Sequence, residues 1–243
     1  MARAHYDRSS LFSGGSVKLY IGNKNYSSWS LRPWLAMRQL GIAFDEVKLR
    51  LSFSEGSEFK NALARIGAPG KVPVLQEDDG FIVWDTLAIV ERVAELHPGA
   101  GVWPRDGRER ARARSLCAEM HSGFAALRSH CPMNIEASLH EVGARVWDEQ
   151  AEVRRDVARL EQLWGEQLAA SGGPFLFGAF SAADAFFAPV CTRLRTYGLP
   201  VGERTQAYVE RVWQLPAMQA WVADALAEHD FLDFDEPYRT APA

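Results

Sequence analysis

The feature that most constrains the fold is a change of pattern near residue 100. Strand and helix patterns alternate before it, whereas no segment after Arg108 has the alternation of a half-buried strand. A stretch containing Gly and Pro, from His97 to Pro104, separates the two parts and is typical of a domain boundary. The predicted division is a disordered leader at 1–16, an α/β domain at 17–97, a linker at 98–107 and an all-helical domain at 108–243.

The first part predicts the element order β-α-β-α-β-β-α, which is the thioredoxin-like arrangement. Two apolar runs flank the acidic turn Glu77-Asp-Asp-Gly80, and this pattern indicates a hairpin. Apolar residues alternate through Val47, Leu49 and Leu51, as in a half-buried strand. The predicted strands are 17–21, 44–51, 72–75 and 81–84, and the predicted helices are 30–40, 58–65 and 85–96.

The second part predicts helices only. A long amphipathic helix ends at Ser171-Gly-Gly-Pro174, and its apolar positions are 153, 157, 160, 164 and 168. A further helix begins at Ser181, where Ser181-Ala-Ala-Asp184 has the form of a capping box. The predicted fold class is therefore α/β plus all-α.

Composition excludes several classes of function. A net charge of −4 and a pI near 5.9 do not support a nucleic-acid-binding surface. No apolar run approaches the roughly 20 residues that span a bilayer. Cys117, Cys131 and Cys191 are widely spaced and odd in number, so we expect reduced thiols in the cytoplasm rather than disulfides or a metal site.

Hydroxyl side chains are concentrated where the first strand gives way to the first helix, in the segment NYSSWSLRPW at 25–34. In open α/β sheets, ligands bind beyond the carboxyl ends of strands and beside helix N-termini. The serines therefore either cap the helix or hold a ligand. The residues alone leave both uses open.

Four motifs in order resemble those of the cytosolic glutathione transferases, over roughly residues 17–230. They are Ser27-Ser-Trp-Ser30, Gly70-Lys-Val-Pro-Val-Leu75, Trp84-Asp-Thr86 and Ser181-Ala-Ala-Asp184. The first is similar to the serine motif of the zeta-like classes, so the chain resembles a serine-type, bacterial-type member. The resemblance implies glutathione as co-substrate and a homodimer, without a metal.

The resemblance also assigns roles to residues. Ser27 would hold the glutathione sulfur, Ser28 is the next choice, and Ser30 would cap the helix. The Val72-Pro73 bond would be cis, and Asp85-Thr86 stands where the family more usually has Glu-Ser or Gln-Ser. The residues expected to bind glutathione are Lys71, Val72, Pro73, Asp85 and Thr86.

One serine is sufficient in energy to activate a thiol. Lowering a thiol pKa from about 8.5 by about two units requires about 2.7 kcal/mol. A hydrogen bond to a charged group contributes about 1.5–3 kcal/mol. A helix N-terminus adds about 0.3–1 kcal/mol. No general base is then needed.

A pocket between the two domains would bind the second substrate, a small and apolar electrophile. Its candidate lining is Tyr26, Trp29, His121, Phe124 and Arg128, with Met133 and Asn134 nearby. The predicted function is a glutathione transferase, and the alternatives are a zeta-like isomerase of an unsaturated diacid and a non-catalytic binding or scaffold protein. For the isomerase, Arg32 and Arg128 are candidates to hold the two carboxylates.

Overall fold

The computed structural model describes residues 17–241, so the predicted leader at 1–16 and the last two residues lie outside it. Four strands form one mixed sheet in the order β2-β1-β3-β4. β1 is parallel to β2 and antiparallel to β3, which pairs antiparallel with β4. The elements of this part are β1 (Lys18–Ile21), α1 (Ser28–Gln39), β2 (Asp45–Lys48), α2 (Glu58–Arg65), β3 (Val74–Gln76), β4 (Ile82–Trp84) and α3 (Thr86–Leu96).

The remaining named elements of the described chain are helices, so the predicted thioredoxin-like part and helical part are both confirmed. A 3-10 turn at Asp233–Asp235 follows the last α-helix. The helices are α4 (Gly107–Ser122), α5 (Ala125–His130), α6 (His140–Glu149), α7 (Ala151–Ser171), α8 (Ala182–Tyr197), α9 (Glu203–Trp213) and α10 (Pro216–Leu226).

Helix α8 lies at the centre of the helical part, with only Arg195 of its residues not buried. Its N-terminus has the predicted capping box between Ser181 and Asp184. Arg32 of α1 is fully buried against α8 and donates from Nε to the Phe186 carbonyl at 3.0 Å. This bond joins the first turns of α1 to the helical part.

The chain after α10 returns to the α/β part, and we name residues 227–240 the C-terminal strap. Asp230 of the strap accepts from Arg50 Nε at 2.8 Å, and Glu236 accepts from the Tyr26 hydroxyl at 2.7 Å. The Leu232 side chain completes a small apolar cluster that includes Tyr26 and Leu51. The strap therefore forms a wall beside the start of α1.

Candidate active site

The start of α1 presents two serine hydroxyls, those of Ser27 and Ser28, to the space in front of the helix. Ser27 occupies the N-cap position but makes no capping hydrogen bond through its side chain. Its Oγ lies 2.7 Å from Ser30 Oγ, which accepts from the Gly22 amide at 3.2 Å. If Ser30 donates to Ser27, the Ser27 proton is free for a group in front of the helix. The predicted capping by Ser30 is wrong, because Ser30 lies within the first turn and faces the end of β1.

Two adjoining cavities lie in front of this helix start. The first, of about 400 Å³, is lined by Ser27 and Ser28, and we name it the serine cavity. The second, of about 490 Å³, is lined by Asp85 and Thr86, and we name it the Asp85 cavity. The side chains that line both are Trp29, Lys71 and Val72. A single elongated ligand could therefore occupy both cavities.

Asp85 and Thr86, at the start of α3, bring polar groups to the Asp85 cavity. Asp85 has a φ of 72°, a left-handed conformation that is costly for a residue other than glycine and clusters at functional sites. Its Oδ1 accepts from the Leu87 amide at 2.9 Å, and its Oδ2 lies 3.3 Å from His121 Nε2. The buried Thr86 hydroxyl donates to the Trp29 carbonyl at 3.0 Å, so that proton is already in use. The backbone amide at the start of α3 remains the donor that Thr86 can offer to an anion.

The serine cavity is cationic at its base. Arg128 and Arg193 line it together with Lys71. Within the described residues, the Nε atoms of Arg128 and Arg193 are buried and have no hydrogen-bond partner. Arg193 instead donates from Nη1 to the carbonyls of Cys131 and Arg128. Burial lowers the pKa of Arg193 to about 10, so its guanidinium is still charged at neutral pH.

A third arginine lies behind this cavity. The guanidinium of Arg32 stacks on the Trp29 ring at 4.2 Å, and that of Arg128 lies 5.6 Å from the same ring. Burial holds the pKa of Arg32 well below its usual value, and the charges of Arg193 and Arg128 lower it further. These cations share one region and lack a carboxylate in direct contact among residues 17–241. Such a region favours an anionic ligand.

Tyr26 also lines the serine cavity, but its hydroxyl is committed elsewhere. It donates to Glu236 Oε1 at 2.7 Å, and burial together with this bond raises the pKa of Tyr26 to about 12. A phenol in this state does not exchange protons readily near neutral pH. Tyr26 is therefore a wall of the cavity rather than an activator of a thiol.

The structure gathers most of the predicted site residues in front of α1. Val72-Pro73 is cis, as the resemblance implies. The predicted residues that line the serine cavity are Tyr26, Ser27, Ser28, Trp29, Lys71, Val72, Arg128 and Met133. The predicted residues that line the Asp85 cavity include Lys71, Val72, Pro73, Asp85 and Thr86.

Two residues predicted for the second-substrate pocket lie elsewhere. His121 lines the Asp85 cavity, because α4 carries it to Asp85 Oδ2. Phe124 is packed in the hydrophobic core and lines neither cavity. It precedes α5 in a left-handed conformation with a φ of 53°, and its side chain is buried.

Sequence reasoning did not single out two charged residues of the serine cavity, Arg193 and Asp235. Arg193 had a signal, since a charge within the apolar segment 185–194 indicates a buried polar contact. Asp235 had none, because it lies on the strap and reaches the cavity only through the fold.

Family comparison agrees with this geometry. Residues 26–96 match the glutathione S-transferase N-terminal domain family, and residues 109–224 match the glutathione S-transferase C-terminal domain family. The chain belongs to the glutathione S-transferase family. In this chain the thioredoxin-like part carries the serine motif, and residues of the helical part complete the lining of the serine cavity.

Curated relatives of this transferase-family chain include proteins named maleylacetoacetate isomerase. The Pseudomonas aeruginosa protein is 28% identical over 153 residues, which cover 62% of this chain and 71% of that protein. The rat protein is 26% identical over 176 residues, which cover 72% of this chain and 76% of that protein.

Among solved structures, a Burkholderia glutathione transferase homologue with bound glutathione has a TM-score of 0.61 and 25% identity, covering 88% of this chain and 99% of that one. Over the described residues, no helix has the length and apolarity that a membrane crossing needs. Within the same residues, no cluster of His, Cys, Asp or Glu side chains could hold a metal ion.

Proposed function

We propose that the protein is a glutathione-dependent enzyme whose Ser27 stabilises the thiolate for addition to a small unsaturated substrate that carries a carboxylate. The observation that carries this proposal is the pair of arginines, Arg128 and Arg193, in the same cavity as Ser27. Their buried Nε atoms have no partner among the described residues, and a substrate carboxylate would supply one. The apolar electrophile predicted from sequence would leave both donors unsatisfied.

Glutathione fits across both cavities in one orientation. Its thiol would lie at Ser27, and its cysteinyl backbone would pair with Val72 before Pro73. Its γ-glutamyl group would lie at the start of α3, where Asp85 Oδ2 can accept from the ammonium and the Thr86 amide can donate to the carboxylate. Lys71 would reach the glycyl carboxylate. The Ser27 hydroxyl and the α1 N-terminus then both favour the charged sulfur.

Addition of the thiolate to a carbon–carbon double bond allows two outcomes. If the resulting enolate takes up a proton, the product is a conjugate. If its new single bond rotates and the thiolate leaves again, the product is the trans isomer. The names of the relatives favour the isomerase as second candidate, and two arginines suffice for two carboxylates.

Arg128→Met is expected to weaken binding of carboxylated substrates selectively. We expect the KM for a cis-4-oxo-2-alkenoate to rise about tenfold or more, since a charge-assisted hydrogen bond contributes about 1.5–3 kcal/mol. The KM for a neutral enone of matched reactivity should change little, because methionine retains the apolar stem beside Trp29. Steady-state kinetics with both probes measures the difference.

Arg204→Met on α9 is the matched control, because Arg204 is exposed and lies outside the serine cavity. Equal rises in KM for the charged and the neutral probe in Arg128→Met would contradict a carboxylate-binding role for Arg128. The proposed substrate would then be an apolar electrophile.

We further propose that the enzyme is a cytoplasmic homodimer, as the family resemblance implies. Phe81 and Trp84, on and beside the edge strand β4, are each more than half exposed and could pack against a second subunit. Sedimentation equilibrium is expected to give twice the chain mass of 27.1 kDa. A mass of one chain at micromolar concentration would contradict the dimer.

A further inference from the structure

A single carboxyl side chain lines the serine cavity over the part of the chain that the structure describes. This is Asp235, in the 3-10 turn of the C-terminal strap, beyond the family match that ends at residue 224. No side-chain hydrogen bond or ion pair within residues 17–241 holds its carboxyl. The group is therefore available to a bound substrate.

The conjugation outcome of the proposed reaction requires a proton donor beside the substrate. When glutathione binds as the thiolate, its thiol proton goes to solvent, and the Ser27 proton is engaged with sulfur. Addition then leaves an enolate on the far side of the substrate, which needs a proton from another group to become a conjugate. The Tyr26 hydroxyl cannot serve because it donates to Glu236. Cys131 and Cys191 are buried, and burial raises the pKa of the Cys131 thiol to about 12.

We propose that Asp235 is the catalytic acid that protonates this enolate and so directs the adduct to conjugation rather than isomerisation. This inference rests on the proposed function. In the step, the thiolate forms the carbon–sulfur bond and the double-bond electrons move to the carbonyl as an enolate. The carbon next to the carbonyl then takes the Asp235 proton, and solvent reprotonates the carboxylate.

The surroundings of Asp235 suit an acid near neutral pH. Burial and the charge of the neighbouring Glu236 raise the pKa of Asp235 while Arg193 of α8 lowers it, and together they bring it to about 6. The other charged or titratable groups on the cavity are Lys71, Arg128 and Tyr26. A substrate carboxylate bound to Arg193 would offset the charge that lowers the pKa of Asp235, so a larger fraction of Asp235 is protonated when substrate is bound. Because the acid form is required, conjugation should fall relative to isomerisation as the pH rises above about 6.

The test follows the protein-delivered proton in D₂O, with glutathione and a cis-4-oxo-2-alkenoate as probes. For the wild type, we expect NMR to show one deuterium of a single configuration on the carbon next to the ketone. Asp235→Asn should slow conjugation at least tenfold, scramble that configuration and increase the share of trans alkene. Asp235→Glu, which keeps a carboxyl group, should restore part of the rate.

Asp233→Asn is the matched control, because Asp233 lies in the same turn, is exposed and does not line the cavity. It should leave the rate and the configuration unchanged. Unchanged rate, configuration and pH profile in a folded Asp235→Asn protein would overturn the acid role. A wild-type conjugate of mixed configuration would overturn the acid role as well. If glutathione still bound as the thiolate in that case, the proposed function itself would stand.

Discussion

Ser27→Ala is expected to return the thiol pKa of bound glutathione toward its free value, a rise of about two units. The Ser27 hydroxyl lies at the start of α1 without a capping bond, and its partner Ser30 can supply the proton that frees it. With a bound thiol pKa near 6.5, most of the thiol is ionised at pH 7, whereas near 8.5 only about 3% is. The rate at pH 7 should therefore fall about twentyfold, and ultraviolet absorbance of the thiolate during a pH titration measures the shift.

Ser28→Ala is the discriminating control, since Ser28 lines the same cavity one position later. If only Ser28→Ala raised the thiol pKa, the sulfur-binding role would move to Ser28. If the wild-type protein bound glutathione with an unshifted thiol, or did not bind it, the enzyme proposal would fail and a binding or scaffold role would replace it.

Local patterns predicted the elements but not all of their ends. Strand β2 is four residues long rather than the eight predicted at 44–51, because its one neighbour, β1, offers pairing partners only from Lys18 to Ile21. Helix α1 starts at Ser28 rather than at residue 30, so Ser27 and not Ser30 takes the N-cap position. Both differences depend on where neighbouring chain segments lie, and a sequence window does not contain that information.

Some residues of the candidate site could likewise be predicted from local patterns, whereas others depend on the tertiary fold. Ser27, Val72 and Asp85 lie at element ends in contiguous motifs, so the sequence could place them at one edge of the sheet. Arg193 and Asp235 reach the serine cavity from α8 and from the strap, more than 160 residues along the chain from Ser27. Their convergence depends on helix packing and on the path of the strap, which the spacing of side chains does not determine.

The N-terminus of α8 is where we expect the largest loss of stability. Asp184 is fully buried and accepts from the Leu176 amide at 3.0 Å, the Ser181 amide at 2.9 Å and the Tyr208 hydroxyl at 2.9 Å. Asp184→Asn replaces one accepting oxygen with an NH₂ group, which faces donors and leaves at least one of them unpaired. Leaving a buried donor unpaired costs about 1–3 kcal/mol, and more where the lost acceptor was charged, so the free energy of unfolding should fall by about 3 kcal/mol in urea titrations.

Asp148→Asn on α6 is the control for this substitution, because Asp148 is exposed and should change the free energy of unfolding by less than about 0.5 kcal/mol. Tyr208→Phe removes a single donor and should cost about 1 kcal/mol in the wild type. Combined with Asp184→Asn, the same change should cost less, since the bond that it removes is already impaired. Additive losses would show that Asp184 and Tyr208 act independently, and a loss below about 1 kcal/mol for Asp184→Asn would mean that packing around α8, rather than this carboxylate, stabilises the helical part.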